Sequence, residues 1–490
     1  MGLLSDNLSS AWYAFLIFSV CAFILWARRL STQRLRLPLP PGPSGLRNVL
    51  DIPLDNMELY LRDLNAKHGE IVSLNTFGTR MIVLGTHEAA VELLEKRSSI
   101  YSDRNMTPTA ELAGFDWLIA MMRYGPRWRK IRAVFHQCMN PNMIVQYRPI
   151  QEDEIRRYLL RLVEDPAKFY QHGAIIIRVA YGIKVVGEND KYIKIAEDAM
   201  DAFNIVFQPG RYLVQTFPSL RHIPPWFPGA KFRREFVDWF PIVQKIHELK
   251  GNTPASIVST LMDRAEGPED EQAAKGAAAN AYIAGADTTL STLQTFFAAM
   301  ASNALIQKRA QDALDTIVGP DRLPTMEDKP DLPYITAIVK ECLRWRSVVP
   351  LSVPHMAIQE DEYKGYRIPA GSLVISNTMY YPEPETFRPE RFLLDSGELN
   401  PDVLDPAEMA FGYGRRICPG RFFAEASPFT VIASNVHNFD ISAPLDKEGK
   451  PMKLNVNMTN GVVSYPEPFE GIIRPRSASA EALVRASASG

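Results

Sequence analysis

The stretch FGYGRRICPGRFFAE, Phe411 to Glu425, places one cysteine, Cys418, among Gly412, Gly414 and Gly420 and beside Arg415 and Arg416. A thiol ionises near neutral pH only where positive charge or backbone N–H donors stabilise the thiolate. Glycines supply backbone that takes up positive φ or approaches a ligand closely. The following PGRFFAEASPFTVIAS reads as a helix with Pro419 in its first turn. Cys418 would then stand at the positive end of a helix dipole, facing whatever the glycines accommodate. Arg416 can pair with an anionic group on that ligand. A nucleophilic cysteine is the competing chemistry, but no histidine stands nearby as its base. An inert buried cysteine would not need the glycines.

Three further groupings set polar residues into apolar helical sequence. In AGADTTLSTL, Ala284 to Leu293, Asp287, Thr288 and Thr289 follow Gly285 within a turn. A helical glycine costs roughly 1 kcal/mol relative to alanine. Polar groups beside it predict a locally opened ladder where water or ligand enters. In KECLRWR, Glu341 and Arg344 share a helix face. Glu341 borders an apolar stripe of Ile338, Cys342 and Trp345, where a carboxylate must be paired; a surface salt bridge is the ordinary alternative. FRPERF, Phe387 to Phe392, brings a second arginine, Arg391. In RWRKIRAVFHQ, Trp128, Ile131, Arg132 and Phe135 share one face, so an inward Arg132 needs an anionic partner. Arg127, Arg129 and Lys130 point outward. Ordinary solvation and a basic docking face with Arg415 and Arg421 are both open for them. His355, in PLSVPHM, is more often structural when taken alone.

Such groups need a large core to hold them. The chain has 490 residues, 46% of them hydrophobic, and no repeat or linker divides 51–474. A net charge of −2 gives no reason to expect a nucleic-acid partner. Cys21, Cys138, Cys342 and Cys418 share no CxxC spacing, which argues against a disulfide framework or a cysteine-rich zinc site. IVSLNTFGTRMIVLG predicts a hairpin around Gly78, and THEAAVELLEKR a helix capped by Thr86. The poorly periodic SDRNMTPTAELAGFDWLIAMMRYGP predicts a long functional loop. The longest helix is expected from Glu269 to about Ala301, another begins after Pro333, and EYKGYRIPAGSLVIS returns to strand and turn. Within residues 1–30, the apolar run Ala11–Ala27 is flanked by Trp12, Tyr13 and Trp26 and followed by Arg28, Arg29, Arg34 and Arg36. This predicts a retained transmembrane anchor with the bulk of the chain on the cytoplasmic side. A cleaved signal would carry its charge before the run. Residues 31–50 form a proline-rich hinge, and the low-complexity tail over 475–490 is expected to be disordered.

The spacing Phe411-Gly-x-Gly-x-Arg-x-Cys-x-Gly closely resembles the haem-binding signature of the cytochromes P450, and the other groupings follow in that family's order. The resemblance implies the cytochrome P450 fold, mainly α with a small β-sheet component, and haem b as cofactor. Cys418 becomes the axial thiolate on iron, which favours O–O cleavage, with Phe411 shielding the sulfur and Gly412, Gly414 and Gly420 shaping the cofactor loop. Trp128, Arg132, His355 and Arg416 become propionate contacts. Thr288 would orient oxygen and its water, while Asp287 helps deliver protons. Glu341, Arg344 and Arg391 resemble the family's structural lock. The implied activity is a monooxygenase that uses O2 and electrons from NADPH-cytochrome P450 reductase to hydroxylate or otherwise oxidise an apolar small molecule. YSDRNMTPTAELAGFDW and YGPRWRKIR look most like fungal microsomal members of secondary metabolism. That implies a single-pass protein of the endoplasmic reticulum, in contact with lipid, its catalytic domain cytoplasmic. Phe115, Trp117, Leu118, Ala284, Leu351, Val353 and Val462 are the candidate substrate lining, with plain core as the alternative for each.

The chain departs from the family between VISNT and PEPETFRPERF, which MYY joins directly where a longer stretch is usual. The short connection could strain the lock and weaken haem retention. A haem-binding protein without turnover, and an isomerase or dehydratase that needs no reductase, therefore stand beside the monooxygenase.

Overall fold

The computed structural model describes residues 37–43, 51–53, 55–76, 78–170, 174–185, 190–208, 211–249, 256–377 and 381–489. The anchor expected within 1–30 lies outside them. Among the described residues no helix is long and apolar enough to cross a membrane.

Helix dominates. The elements that build the site are α1 (Pro126–Met139), α2 (Arg148–Glu164), α3 (Ala174–Tyr181), α4 (Lys191–Phe207), α5 (Pro268–Ser302), α6 (Pro333–Trp345), α7 (Arg421–Asn438) and α8 (Ala478–Ser489). Helix α5 opens with Pro268 in its first turn, followed by Glu269, Asp270 and Glu271, whose charge suits the positive end of the dipole. Its run of small residues then lets neighbours approach, and α1, α3, α4, α6 and α7 all pack against it. Helix α7 starts at Arg421 behind Gly420, so Pro419 precedes the helix instead of opening it.

The strands form small sheets. Strands β1 (Ile71–Thr76) and β2 (Thr79–Leu84) make the expected hairpin, Ile71 facing Leu84. Between β3 (His355–Met356) and β6 (Leu373–Ser376), β4 (Asp361–Tyr363) and β5 (Tyr366–Ile368) form a hairpin of their own. Strand β6 joins β2 in parallel and β3 antiparallel, giving the order β1-β2-β6-β3. This is how His355, far away in sequence, reaches the core beside Tyr101. Strands β7 (Phe439–Ser442) and β8 (Ile472–Pro475) pair near the end of the chain. Thr86 caps the next helix by accepting the Ala89 N–H, and the chain then widens into π turns over Val91–Lys96. Part of the proline-rich segment, 37–43, is docked: Ser73 N–H bonds the Pro41 carbonyl and Arg367 N–H the Pro38 carbonyl. A Cβ at Gly42 would collide with the Ser73 carbonyl oxygen.

The expectation for the tail also fails. The tail is not disordered: residues 478–489 form α8, packed on α2 and α7. Alanine supplies helix propensity, Ser477 accepts the Ala480 N–H at the start, and Glu481 pairs with Arg485 one turn on. Low complexity hid one buried anchor, Val484, which is 0% exposed. Val484→Asp is expected to release α8, read as lost amide-exchange protection over 478–489 and a lower melting temperature. Unchanged protection would show that this burial holds nothing in place.

Candidate functional site

A cavity of about 680 Å3 lies between α5 and the Cys418 loop, within the roughly 300–1,000 Å3 range of small-molecule sites. Cys418, Phe411, Gly412 and Gly420 line it from the loop, and Ala284, Gly285 and Thr288 from α5. The loop is held by the Cys418 N–H donating to the Phe411 carbonyl at 2.7 Å. Gly412 needs its freedom, with φ of +75°. Gly414, at φ +55°, has a different reason from the one expected: a Cβ there would collide with the Leu94 carbonyl oxygen, so the loop seats on the backbone of the π turns. A Cβ at Gly420 would meet open space. Burial pushes the Cys418 thiol up, while the Gly420 N–H and the charges of Arg132 and Arg421 pull it back. Burial prevails; a coordinated metal ion would deprotonate the thiol.

On α5, the Thr288 hydroxyl donates to the Ala284 carbonyl at 2.7 Å, leaving its lone pairs free to accept. Gly285 serves packing: a Cβ would lie 2.7 Å from Cγ1 of Ile176 on α3. Asp287 is not part of the cavity wall. Its Oδ2 is buried without a hydrogen-bond partner. Burial pushes the Asp287 carboxyl up to about 7, with Asp201 and Glu197 of α4 adding to the rise and Tyr465 opposing it.

Three guanidinium groups converge on one side. Arg416, 8% exposed, donates to the carbonyls of Ser102 (2.6 Å), Ile119 (3.1 Å) and Met122 (2.8 Å) and lies 4.4 Å over the Trp128 ring. Arg104, 5% exposed, donates to the carbonyls of Ala120 and Val353. Arg132 reaches the cavity from α1, 5.9 Å from the centroid of the Trp128 ring. The Trp128 N–H itself is spent on the Ile119 carbonyl at 3.1 Å. His355 faces the Tyr101 carbonyl through Nδ1 at 2.7 Å, so Nδ1 carries the proton, and burial next to Arg104 holds the ring neutral. Burial lowers all three arginines, and Asp103 is the carboxylate that acts on both Arg104 and Arg416. Asp103 also accepts the Tyr124 N–H at 2.7 Å. Among the described residues none of the three arginines forms an ion pair. Three cations beside one carboxylate leave a surplus of two positive charges on this side of the cavity.

The lock closes. Glu341, 0% exposed, accepts from Arg344 Nε (2.7 Å) and Nη2 (2.8 Å), from the Arg388 N–H (2.6 Å) and from Arg391 Nε (3.2 Å). It does so with the short connection in place, whose residues 378–380 lie outside the described ones.

Of the candidate substrate-lining residues, Leu118, Ala284 and Val353 line the cavity. Phe115 packs on Phe203 and Phe207, Trp117 on His247, and Leu351 and Val462 pack against the core without lining the cavity. Sequence reasoning missed Arg104 and Asn280. Asn280, on α5, accepts the Ile119 N–H at 2.9 Å and donates to the Trp117 carbonyl at 3.1 Å, pinning the long loop over the cavity. The signal was an asparagine in an otherwise alanine-rich run, GAAANAYIAG.

The sequence profile of the cytochrome P450 family matches residues 38–470. Cytochrome P450 monooxygenase COX2 of Coprinopsis cinerea is 37% identical over 95% of this chain and 94% of its own. Cytochrome P450 monooxygenase 208 of Postia placenta is 38% identical over 93% of each chain. Cytochrome P450 monooxygenase claR of Ampulloclitocybe clavipes is 36% identical over 92% of this chain and 89% of its own. Proteins of this family bind haem b through a cysteine thiolate. The cavity fits that group: Cys418 offers the sulfur, and the unbalanced charge of Arg104, Arg132 and Arg416 suits a dicarboxylate.

The Asp287 carboxyl also sets a pH dependence. Below its ordinary pKa of 3.8 it is protonated in folded and unfolded chains alike; as pH rises to about 7 only the unfolded chain ionises, so stability falls. The full penalty, about 4 kcal/mol at most, applies above that. Asp287→Asn is therefore expected to raise the melting temperature relative to the parent more at pH 8 than at pH 5. An equal effect at both would show that the carboxyl is not held neutral.

Proposed function

The chain belongs to the cytochrome P450 family as a monooxygenase, and on that premise we propose that it oxidises an apolar small molecule of fungal secondary metabolism with electrons from an NADPH-dependent cytochrome P450 reductase. The observation that carries this reading is one cavity faced by both Cys418 and Thr288 and walled by Leu118, Ala284 and Val353. Haem bound there supplies the binding and activation of O2. Cys418 offers its sulfur, tempered by the Gly420 N–H. Arg132, Arg416 and Arg104 hold the anionic edge of the cofactor. Thr288, its own proton on Ala284, accepts a hydrogen bond from a donor in the cavity. Asp287, poised near neutrality, holds or releases a proton at its unpartnered Oδ2 one residue away. The apolar wall excludes water and orients a substrate by shape.

The redox partner is proposed to dock on the exposed arginines of this face. Arg127 pairs with Asp116, and Lys130 with Glu269 and Asp270. Arg129 and Arg415 each lie 5.6 Å over the Tyr124 ring, without an ion pair among the described residues. A membrane location, anchored through Ala11–Ala27 at the endoplasmic reticulum with the catalytic domain cytoplasmic, is part of the proposal. Exposed apolar side chains in one segment support it: Leu213 (70%), Phe217 (52%), Trp226 (79%) and Phe227 (46%).

The reduced protein is expected to give a thiolate-type Soret band with carbon monoxide, and Cys418→Ala to abolish it; a surviving band would place the ligand elsewhere. Arg415→Glu is expected to raise the KM for reductase several-fold, more at low salt, and leave that band unchanged. An unaltered KM would move the docking face.

A further inference from the structure

The long loop that precedes α1 carries part of the apolar wall, and one side chain of α5 reaches up to hold it. Asn280, Ala284 and Thr288 follow one another at turn spacing on α5, and all three line the cavity. Asn280 is buried, and its amide is spoken for on both sides. Oδ1 accepts the Ile119 N–H at 2.9 Å, while Nδ2 donates to the Trp117 carbonyl at 3.1 Å and to the Gly276 carbonyl, one turn back, at 2.7 Å. A flipped amide would face hydrogen to hydrogen and oxygen to oxygen, so the partners fix its orientation. The loop is bonded again from the cofactor side. The Ile119 carbonyl accepts from Trp128 Nε1 and from Arg416 Nη1, both at 3.1 Å, and Arg104 Nε donates to the Ala120 carbonyl at 3.0 Å. Leu118, Ile119 and Ala120, held between these two sets of bonds, line the cavity.

We propose that Asn280 is the positioning residue that limits the size of molecule the cavity admits: it draws Trp117 and Ile119 onto α5 and so fixes where the wall formed by residues 118–120 stands. The arginines and Trp128 hold that wall at the cofactor's edge; the amide sets its distance from the helix. Without the amide, the Ile119 N–H and the Trp117 carbonyl, both in buried residues, lose these partners. The closed position then loses its advantage over one in which the loop stands off and both groups meet water. The inference rests on the monooxygenase reading for what enters the cavity, and not for the geometry.

The test compares imidazole with 1-tritylimidazole, two probes that ligate ferric haem through the same ring nitrogen and differ in bulk. Their association with the ferric holoprotein is followed by stopped-flow absorbance. Asn280→Leu keeps the side chain's size and removes its hydrogen bonds. It is expected to speed association of the trityl probe about tenfold and to leave imidazole within about twofold. Amide exchange over 115–122 should quicken by a similar factor while α1 and α5 keep their protection. Both rates unmoved, or both moving together, would mean that the residue is merely structural and overturns the proposal, as does unchanged exchange over 115–122. Should Asn280→Leu fail to hold haem, Asn280→Asp decides. It keeps the acceptor for Ile119 and loses the paired donors, so the trityl rate should rise again, and an unmoved rate overturns the proposal. Neither probe needs reductase or O2. A parent that shows this pattern but no reductase-supported oxidation would refute the monooxygenase reading and leave the role of Asn280 standing.

Discussion

A carboxylate with no exposure at all, Glu341, joins α6 to the chain that leads into the Cys418 loop. Burying such a charge is costly, and only complete hydrogen bonding offsets it. Here two arginines from different segments and one backbone N–H fill both oxygens. The arrangement tolerates little displacement, because loss of one partner leaves a bare buried charge, which costs on the order of 3–5 kcal/mol. The cysteine loop inherits that rigidity. Its other support is α5, whose small residues let α3 come within contact of Gly285 and keep the cavity wall close to the sulfur.

The charge systems at Glu341 and at the cavity are opposites. At Glu341 both carboxylate oxygens are filled by Arg344, Arg391 and the Arg388 N–H. At the cavity, Arg104, Arg132 and Arg416 are satisfied by carbonyls and an indole ring yet not neutralised. Folding completes the first system; only a ligand completes the second. Structural and functional ion chemistry are thus told apart by what remains unbalanced, not by which residues are present.

Legibility followed the range of the interactions. The long helix was readable, from Glu269 to about Ala301 against Pro268–Ser302, because propensity and capping are local. The Glu341–Arg344 pair and the Cys418 loop were readable because their chemistry lies within a few residues. Placement across the fold was not. Phe115 and Trp117 have the composition of a pocket wall, but aromatic neighbours from α4 and from His247 claim them. Arg104 gave no local sign of its burial, since its partners at 120 and 353 are met only after folding. The tail misled for the opposite reason: its repetitive serine and alanine resemble an unstructured linker, and a single valine decides the matter.

The seat of the cysteine loop on the π turns is made by the Leu94 carbonyl, not by its side chain. Side-chain replacement at position 94 therefore leaves the seat where it is, as far as the surrounding packing allows. Adding or removing one residue between 91 and 96 would instead rotate that carbonyl away and shift the sulfur bodily. Lineages descending from this protein should accordingly vary in spelling across that turn while keeping its length constant.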